Sequence, residues 1–404
     1  MKKNDNFFAD KSPLIIAELG TSHNGDINKA KEMIDAAAEA GAGCLKFQMV
    51  YADEILHPNT GFVSLPGGKI RLYDRFKALE SPPEFYAEIK EYIDSKGLLF
   101  LCTPFGLKSA EILRKMQPKM VKIASPELNY TSLLEEIASW ELPVLLSSGV
   151  SKLGDIEQAL GILGSRELGV GSRGFDSKDN SKASMIDDIS NHAPHSPLCL
   201  LHCVTAYPAP ETDYNLRVLP NLANTFGVSV GVSDHSSDPE LVPALATAMG
   251  AAVIEKHFCL SKTDPGLDDP IALPPKDFSK MVQAVRCAVN DGSEKTIARY
   301  GSERGTDLVE LVLGNGIKEL APSEKENYTR TNRSIHALRD IAAGETLKQG
   351  DYAVLRTEKN LRPGLEPCWE KEIPGRIVRN DIPAGEGIRF EDIIPLPQGT
   401  AQSV

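Results

Sequence analysis

The chain has 404 residues, 41% of them hydrophobic and 25% charged, which indicates a globular protein with one large domain and a smaller one. Its formal net charge of −12 argues against nucleic acid or an anionic membrane surface as a partner. No apolar stretch reaches transmembrane length, and the N-terminus lacks the apolar segment of a signal peptide. Seven cysteines without a CxxC pair are typical of reduced thiols, so we expect a cytoplasmic protein.

Short apolar runs alternate with amphipathic helical patterns along the first two thirds of the chain. The predicted strands are Leu14–Leu19, Cys44–Gln48, Leu98–Thr103, Met120–Ala124, Val144–Ser147, Leu198–Val204, Val228–Val232 and Ala252–Phe258. Near-continuous apolar strands separated by helices predict a parallel sheet. Eight such units over roughly 250 residues predict a (β/α)₈ barrel, the TIM-barrel fold. A doubly wound open sheet is the alternative, but residues 20–26 lack its GxGxxG turn.

Two insertions and a second domain interrupt or follow this pattern. Residues 51–74 follow the second strand, and residues 165–197, rich in Ser, Gly, Asp and Asn, predict a mobile surface loop. The predicted domains are the barrel at 1–290, a linker at 291–330 and a small β domain at 331–404. In the small domain, residues 340–345 (DIAAGE) and 381–386 (DIPAGE) are near-copies, which suggests internal pseudo-symmetry.

Polar side chains follow the predicted strands at their carboxyl ends, which form the active face of a barrel. They are Glu18, Lys46, Gln48, Thr103, Lys122, Ser125, Glu127, Ser147, Thr205, Tyr207, Ser233, His235, Glu255, His257 and, in the loop beyond, Asp268. The lysines and hydroxyls suit a phosphate and a carboxylate. The two histidines end consecutive strands and suit a divalent metal with open positions for substrate oxygens. The carboxylates could orient the metal ligands, accept hydrogen bonds from sugar hydroxyls or act as general acids and bases.

Other interpretations of these residues stay open. Lys46 could instead form a Schiff base with pyruvate, as an aldolase lysine does. A single histidine at a strand end is more often a core residue than a ligand, so the metal hypothesis depends on the pair. His202 lies between Cys199 and Cys203, but their spacing matches no zinc pattern, so we expect it to pack in the core. A non-catalytic, sugar-binding role of the small domain is the third hypothesis.

Ten segments in fixed order make the chain resemble the sialic acid (nonulosonate) synthase family, whose barrel is followed by an antifreeze-like (SAF) domain. The segments are IIAELG (15–20) with HNG (23–25), KFQ (46–48), TPF (103–105), KIASPE (122–127), LSSG (146–149), LHCVTAYP (201–208), GVSDH (231–235), IEKHF (254–258), PGLD (265–268) and LRPG (361–364). Together they span nearly the whole chain.

This resemblance implies a reaction and a distribution of roles. Phosphoenolpyruvate would condense with the open-chain aldehyde of N-acetylmannosamine or a related 2-acetamido or 2,4-diacetamido sugar, giving a nine-carbon 2-keto acid and phosphate. A divalent ion, typically Mn²⁺ with Mg²⁺ or Co²⁺ as alternatives, would bind His235 and His257. The residues that match phosphoenolpyruvate contacts are Lys46, Thr103, Lys122, Ser125, Ser147 and Ser233. The residues that match the sugar side are Gln48, Glu127, Tyr207 and Asp268, and acidic groups near the metal match Glu18 and Glu255.

The resemblance also implies a domain-swapped homodimer in which the SAF domain of one chain lends Arg362 to the barrel of its partner. Arg356 competes with Arg362 for this role, because the segment 355–362 is longer than in most members. Thr205 stands where many members carry Asn, and Pro126 replaces a frequent Gly. These departures concern the identity of the sugar rather than the chemistry.

Overall fold

The computed structural model describes residues 8, 12–65, 68–164, 197–358 and 360–394, so the predicted mobile loop lies outside the described residues up to position 196. The strands are β1 Leu14–Gly20, β2 Cys44–Met49, β3 Phe62–Leu65, β4 Gly68–Arg71, β5 Leu99–Pro104, β6 Val121–Ile123, β7 Val144–Ser147, β8 Leu198–Cys203, β9 Ser229–Asp234, β10 Val253–His257, β11 Arg333–Ala337 and β12 Tyr352–Arg356. Each predicted barrel strand corresponds to an observed strand whose ends differ by at most two residues.

Eight of these strands form one parallel sheet, in the order β5-β2-β1-β10-β9-β8-β7-β6. The two outer strands, β5 and β6, contact each other, so the sheet curls round into a barrel. The predicted (β/α)₈ fold is therefore confirmed. The register pairs Glu18 with both His257 and Lys46, and Glu255 with Ser233, so the members of each pair lie side by side on neighbouring strands.

Helices surround the barrel on its outside and, in the insertion after β2, at its active face. They are α1 Ile27–Glu39, α2 Ala52–Ile55, α3 Leu72–Lys77, α4 Pro83–Ser95, α5 Leu107–Lys115, α6 Thr131–Ala138, α7 Leu153–Gly164, α8 Val218–Phe226, α9 Leu241–Ala248, α10 Pro275–Arg304 and α11 Thr306–Leu313. Helix α10 continues beyond residue 289, with a non-helical residue at Gly292 (φ 75°). Among the described residues, no helix combines the length and the apolar character that crossing a membrane requires.

The barrel interior consists of an apolar layer beneath a polar layer. The apolar layer is formed by Ile16, Cys44, Leu101, Met120, Leu145, Cys199, Leu201 and Val253, with Phe8. Side chains two positions apart on a strand point the same way, so Glu18, Lys46, Thr103, Lys122 and Ser147 lie on the same interior face one layer higher. A cavity of about 440 Å³ lies at the opposite, amino ends of the strands and is lined mostly by small and apolar residues.

The insertion after β2 forms a structured cover at the active face. It contains α2, the antiparallel hairpin β3–β4 and α3, and its apolar residues pack into a small separate core. The sequence predicted the insertion, but the hairpin was not predicted.

The C-terminal domain is built around the two near-copies. Asp340 Oδ1 accepts a hydrogen bond of 2.8 Å from the backbone N–H of Ala384, and Asp381 Oδ1 accepts one of 2.8 Å from that of Ala343. Each aspartate thus fixes the turn of the other copy, as a pseudo-twofold relation requires. Strands β11 and β12 pair antiparallel in the same domain.

Candidate active site

A network of buried charges occupies the carboxyl end of the barrel. Lys46 Nζ lies 2.8 Å from Glu255 Oε1 and 2.7 Å from Glu18 Oε2. Lys122 Nζ lies 2.9 and 3.0 Å from the two oxygens of Glu255, and Ser233 Oγ donates to Glu255 Oε1 at 2.8 Å. All five residues are buried, so solvent screens these interactions weakly.

The network changes the pKa values of its members in different directions. Burial raises the pKa of Glu18. Burial also opposes the charge of Lys46, but the carboxylates of Glu18 and Glu255 outweigh it and keep the pKa of Lys46 above its usual value. For Lys122 burial dominates and lowers the pKa to about 8. Burial disfavours ionised Glu255, yet the two ammonium groups outweigh it and keep the pKa of Glu255 low.

The two predicted metal-binding histidines lie side by side at the same end of the barrel. The ring centroids of His235 and His257 are 5.4 Å apart, and Tyr207 stacks on His235 with a centroid distance of 4.3 Å. His235 Nδ1 lies 2.9 Å from the carbonyl oxygen of Val204. Since a carbonyl only accepts, Nδ1 carries a proton, and Nε2 is the ring nitrogen through which a metal ion would bind. Burial lowers the pKa of His257 well below its usual value and favours the neutral ring.

These features fit a divalent ion with open coordination positions. Neutral imidazoles are good ligands for Mn²⁺ and related ions, and the bond to Val204 fixes the orientation of one ring. Over residues 12–65, 68–164, 197–358 and 360–394, no group of three His, Cys, Asp or Glu side chains has a ligating arrangement. His235 and His257 could each supply one nitrogen ligand, and substrate oxygens and water would fill the other positions.

Three polar groups that the sequence assigned to the sugar side or the metal surroundings gather near Gly20. A methyl group on Gly20 would lie 3.3 Å from Glu18 Oε1, 3.6 Å from Gln48 Nε2 and 3.8 Å from Asp268 Oδ2. Gln48 Nε2 donates to Glu18 Oε1 at 2.8 Å, and Asp268 Oδ2 lies 3.9 Å from His257 Nδ1. Burial raises the pKa of Asp268 to about 6.

Buried hydroxyl groups lie at the ends of β5 and β7 and after β6 and β8. The hydroxyl oxygens of Thr103, Ser147 and Thr205 are buried and lack a hydrogen-bond partner within the described part of the chain. Ser125 Oγ accepts from the backbone N–H of Gly149 at 2.9 Å. A buried hydroxyl without a partner is costly, so these groups indicate a site for a ligand rich in acceptor oxygens.

The C-terminal domain contacts this site because two of its arginines bind Glu127 of the barrel. Glu127 Oε1 accepts from Arg333 Nη2 and from Arg356 Nη2, each at 2.8 Å, and Glu127 is fully buried. Its other oxygen, Oε2, is buried without a hydrogen-bond partner among the described residues. Arg362 instead donates to Asp392 Oδ2 at 2.5 Å within its own domain. The structure therefore places Arg356, rather than Arg362, at the barrel of the same chain.

Several residues in and around the candidate site were not predicted from the sequence. Arg333 is a fully buried guanidinium at the start of β11, whose sequence RSIHA gives no local signal of that role. The buried ion pair of Lys256 and Asp234 and the carboxylate of Glu324 become visible only in three dimensions. His202 behaves as expected: it is buried, and its Nε2 lies 2.6 Å from the carbonyl oxygen of Tyr214.

Comparison with known proteins gives a consistent result. Residues 33–295 match the NeuB family, and residues 332–394 match the SAF domain. The chain is 31% identical to N,N'-diacetyllegionaminic acid synthase of Legionella pneumophila, with 94% of each chain covered. It is 30% identical to pseudaminic acid synthase of Campylobacter jejuni, covering 96% of this chain and 98% of that one. The crystal structure of spore coat polysaccharide biosynthesis protein SpsE from Bacillus subtilis is similar with a TM-score of 0.73, 30% identity and 96% coverage of both chains.

Proposed function

Because the chain belongs to the NeuB family, we propose that it condenses phosphoenolpyruvate with the open-chain aldehyde of a 2-acetamido or 2,4-diacetamido sugar. The products would be a nine-carbon 2-keto acid and phosphate. The chain is a synthase of the nonulosonic acid type, and thus a transferase, as its relatives are. N-acetylmannosamine, its 6-phosphate and the 2,4-diacetamido-6-deoxy sugars are the candidate substrates.

The observation that carries this proposal is the pair of buried ammonium groups beside unpartnered hydroxyls. Lys46 and Lys122 both contact Glu255, and the hydroxyls of Thr103 and Ser147 lie at strand ends of the same face without hydrogen-bond partners among the described residues. A phosphate and a carboxylate on one small molecule provide the negative charge and the acceptor oxygens that such groups need. Phosphoenolpyruvate carries both.

His235 and His257 would hold a divalent ion, for which we propose Mn²⁺. Bound there, the ion supplies Lewis-acid chemistry to oxygen atoms of the substrates. The histidines contribute orientation, because His235 is fixed by Val204 and Tyr207 stacks on its ring. A 52% exposed Tyr207 also places an aromatic surface at the entrance, where a sugar ring or chain can pack.

The remaining residues would bind, orient and exchange protons. Carbon 3 of phosphoenolpyruvate forms a bond to the aldehyde carbon, water adds at carbon 2, and the bond from carbon 2 to the phosphate oxygen breaks. The aldehyde oxygen must gain a proton, and Asp268, whose pKa is raised to about 6, is suited to supply it. Glu127 Oε2 is available to accept from an acetamido N–H or a sugar hydroxyl.

Schiff-base chemistry at Lys46 is the rival reaction, and the charge network disfavours it. A lysine must be neutral to attack a carbonyl carbon. Glu18 and Glu255 keep the pKa of Lys46 above its usual value, so the amine stays protonated at neutral pH. The third hypothesis, a non-catalytic sugar-binding protein, gives no reason for this buried network of charges, whose desolvation is costly.

We further propose a cytoplasmic homodimer in which SAF domains are exchanged between partners. All seven cysteines are unpaired, five of them buried, which fits a reducing compartment. Residues 314–332 connect the two domains, so this linker would have to cross to the partner in such an exchange.

The decisive experiment incubates the protein with phosphoenolpyruvate, Mn²⁺ and each candidate sugar, and identifies products by mass. We expect phosphate release that requires both substrates and the metal. His235→Ala and His257→Ala should each lower kcat by at least about 100-fold while the circular dichroism spectrum is unchanged. Turnover of pyruvate in the presence of EDTA, with an adduct on Lys46 after borohydride treatment, would contradict the proposal.

A further inference from the structure

Glu324 is a buried carboxylate in the linker that joins the barrel to the SAF domain. It belongs to the 3₁₀ helix Pro322–Asn327 and is 1% exposed. Its Oε2 accepts from the backbone N–H of Val150 at 3.0 Å and from that of Thr205 at 2.9 Å. Its Oε1 accepts from the backbone N–H of Ala321 at 3.1 Å. One carboxylate therefore fixes two separate barrel loops, those after β7 and β8.

The linker and the start of the SAF domain also bind the carbonyl groups of Val150 and Thr205. Asn332 Nδ2 donates to the carbonyl oxygen of Val150, and Asn327 Nδ2 donates to that of Thr205, each at 3.1 Å. Val150 has a φ of 43°, a left-handed conformation that a β-branched residue adopts only under strain. The hydrogen bonds of Val150 with Glu324 and Asn332 offset that strain.

These two loops carry side chains of the proposed anion site. The residue before Val150, Gly149, donates its N–H to Ser125 Oγ at 2.9 Å. A methyl group on Gly149 would lie 2.1 Å from Thr205 Oγ1 and 3.1 Å from Cys203 Sγ, so the loops after β7 and β8 touch here. A shift of either peptide group would displace Ser125 and Thr205 together.

We propose that Glu324 is a positioning residue for phosphoenolpyruvate binding: the linker carboxylate fixes the loops after β7 and β8, which hold Ser147 and Thr205 and which contact Ser125 through the N–H of Gly149. This proposal rests on the proposed function. Glu324 itself would not touch the substrate, because its two oxygens already accept three backbone hydrogen bonds. Its effect should therefore be specific to one of the two substrates.

The test compares Glu324→Gln with Glu326→Gln, a matched change of an exposed glutamate in the same 3₁₀ helix. Glutamine keeps the size of glutamate, but its amide nitrogen would face at least one of three N–H donors. We expect the Kd for phosphoenolpyruvate, measured by calorimetry without sugar, to rise about tenfold, or about 1.4 kcal/mol. The KM for the sugar should stay within about twofold of wild type, and Glu326→Gln should behave as wild type.

A second variant tests the same loop independently, in case Glu324→Gln does not fold. Asn332→Asp keeps the acceptor for Thr329 N–H but loses the donor to the Val150 carbonyl, and it should weaken phosphoenolpyruvate binding in the same direction. Hydrogen exchange of peptides covering residues 148–152 and 203–206 should accelerate in both variants.

The outcomes separate the two proposals. Faster exchange and a lower melting temperature with an unchanged Kd for phosphoenolpyruvate would overturn the positioning role, as would an equal loss of sugar affinity. A wild-type protein that binds phosphoenolpyruvate but turns over no sugar would refute the proposed function, while the Kd values would still decide the role of Glu324. A wild-type protein that does not bind phosphoenolpyruvate would refute both.

Discussion

Glu255 balances the charges at the base of the active site. The ammonium groups of Lys46 and Lys122 both contact it, and Glu18 contacts Lys46, so two positive and two negative side chains neutralise one another. An anionic substrate that approaches must compete with these carboxylates for the lysines. The network thus keeps the lysines in place without leaving unpaired buried charge, which would be strongly destabilising.

Lys122 should make phosphoenolpyruvate binding sensitive to alkaline pH. Burial lowers its pKa to about 8, so in the free enzyme it is charged below that pH and loses its proton above it. Because the charged form attracts the anion, kcat/KM for phosphoenolpyruvate should fall above about pH 8. The measurement is a pH profile of kcat/KM at saturating sugar and metal.

Lys122→Arg provides the matched control for this profile, because a guanidinium stays charged throughout the range. If the variant retains measurable activity, its alkaline limb should move to higher pH. An unchanged limb in the arginine variant, or a flat wild-type profile up to pH 10, would show that Lys122 does not control binding.

Strands β9 and β10 bring the two histidines together, and a buried ion pair joins the strands just beside them. Asp234 precedes His235, Lys256 precedes His257, and Lys256 Nζ lies 2.6 Å from Asp234 Oδ2. The same ammonium group lies 2.6 Å from the carbonyl oxygen of Ser236. Both side chains of the pair are almost fully buried, so the pair fixes the spacing of the strand ends that carry the imidazoles.

Asp234→Asn should therefore weaken metal binding although residue 234 is not a proposed ligand. Asparagine preserves the shape but leaves the ammonium of Lys256 without its charged partner. We expect the Kd for Mn²⁺, measured by calorimetry or electron paramagnetic resonance, to rise about 10- to 100-fold. Asp277→Asn, which breaks the exposed pair with Lys280, should leave that Kd unchanged. Equal metal affinity in both variants would rule out a positioning role of the pair.

The barrel elements could be predicted from the sequence because they depend on local pattern. Buried parallel strands are continuous apolar runs that end at polar residues, and the predicted ends of β2, β9 and β10 fall within two residues of the observed ones. The hairpin β3–β4 could not be predicted, since each of its strands has only four residues, too few to show a clear alternating pattern. Contacts such as Glu324 with Val150 span 174 residues, and no local pattern reports them.

At the scale of the whole molecule, buried arginine side chains of the SAF domain bind a buried carboxylate on one side of the barrel. Arg333 and Arg356 share one oxygen of Glu127, and Arg333 Nη2 also donates to the carbonyl oxygen of Phe105 at 2.5 Å. Two guanidinium groups on one carboxylate leave one positive charge in excess at the site. Under the proposed function this arrangement would link domain docking to catalysis, because separating the domains would expose Glu127 and remove that charge.

The exchange of SAF domains between partners can be tested by mixing inactive chains. Arg362 is partly exposed and contacts Asp392 of its own domain, so an active-site role for Arg362 would be exerted on a neighbouring chain. If Arg362 acts on the neighbouring chain, an Arg362→Ala chain mixed with a His235→Ala chain should regain about a quarter of wild-type activity, because half of the dimers are mixed and each has one complete site.

A mixture of Arg356→Ala and His235→Ala chains tests whether whole SAF domains are exchanged. Arg356 contacts Glu127 within one chain, so this second mixture should stay inactive unless whole domains are exchanged. Activity recovered by neither mixture, in dimers shown by mass spectrometry to have exchanged subunits, would establish that each barrel works with its own SAF domain.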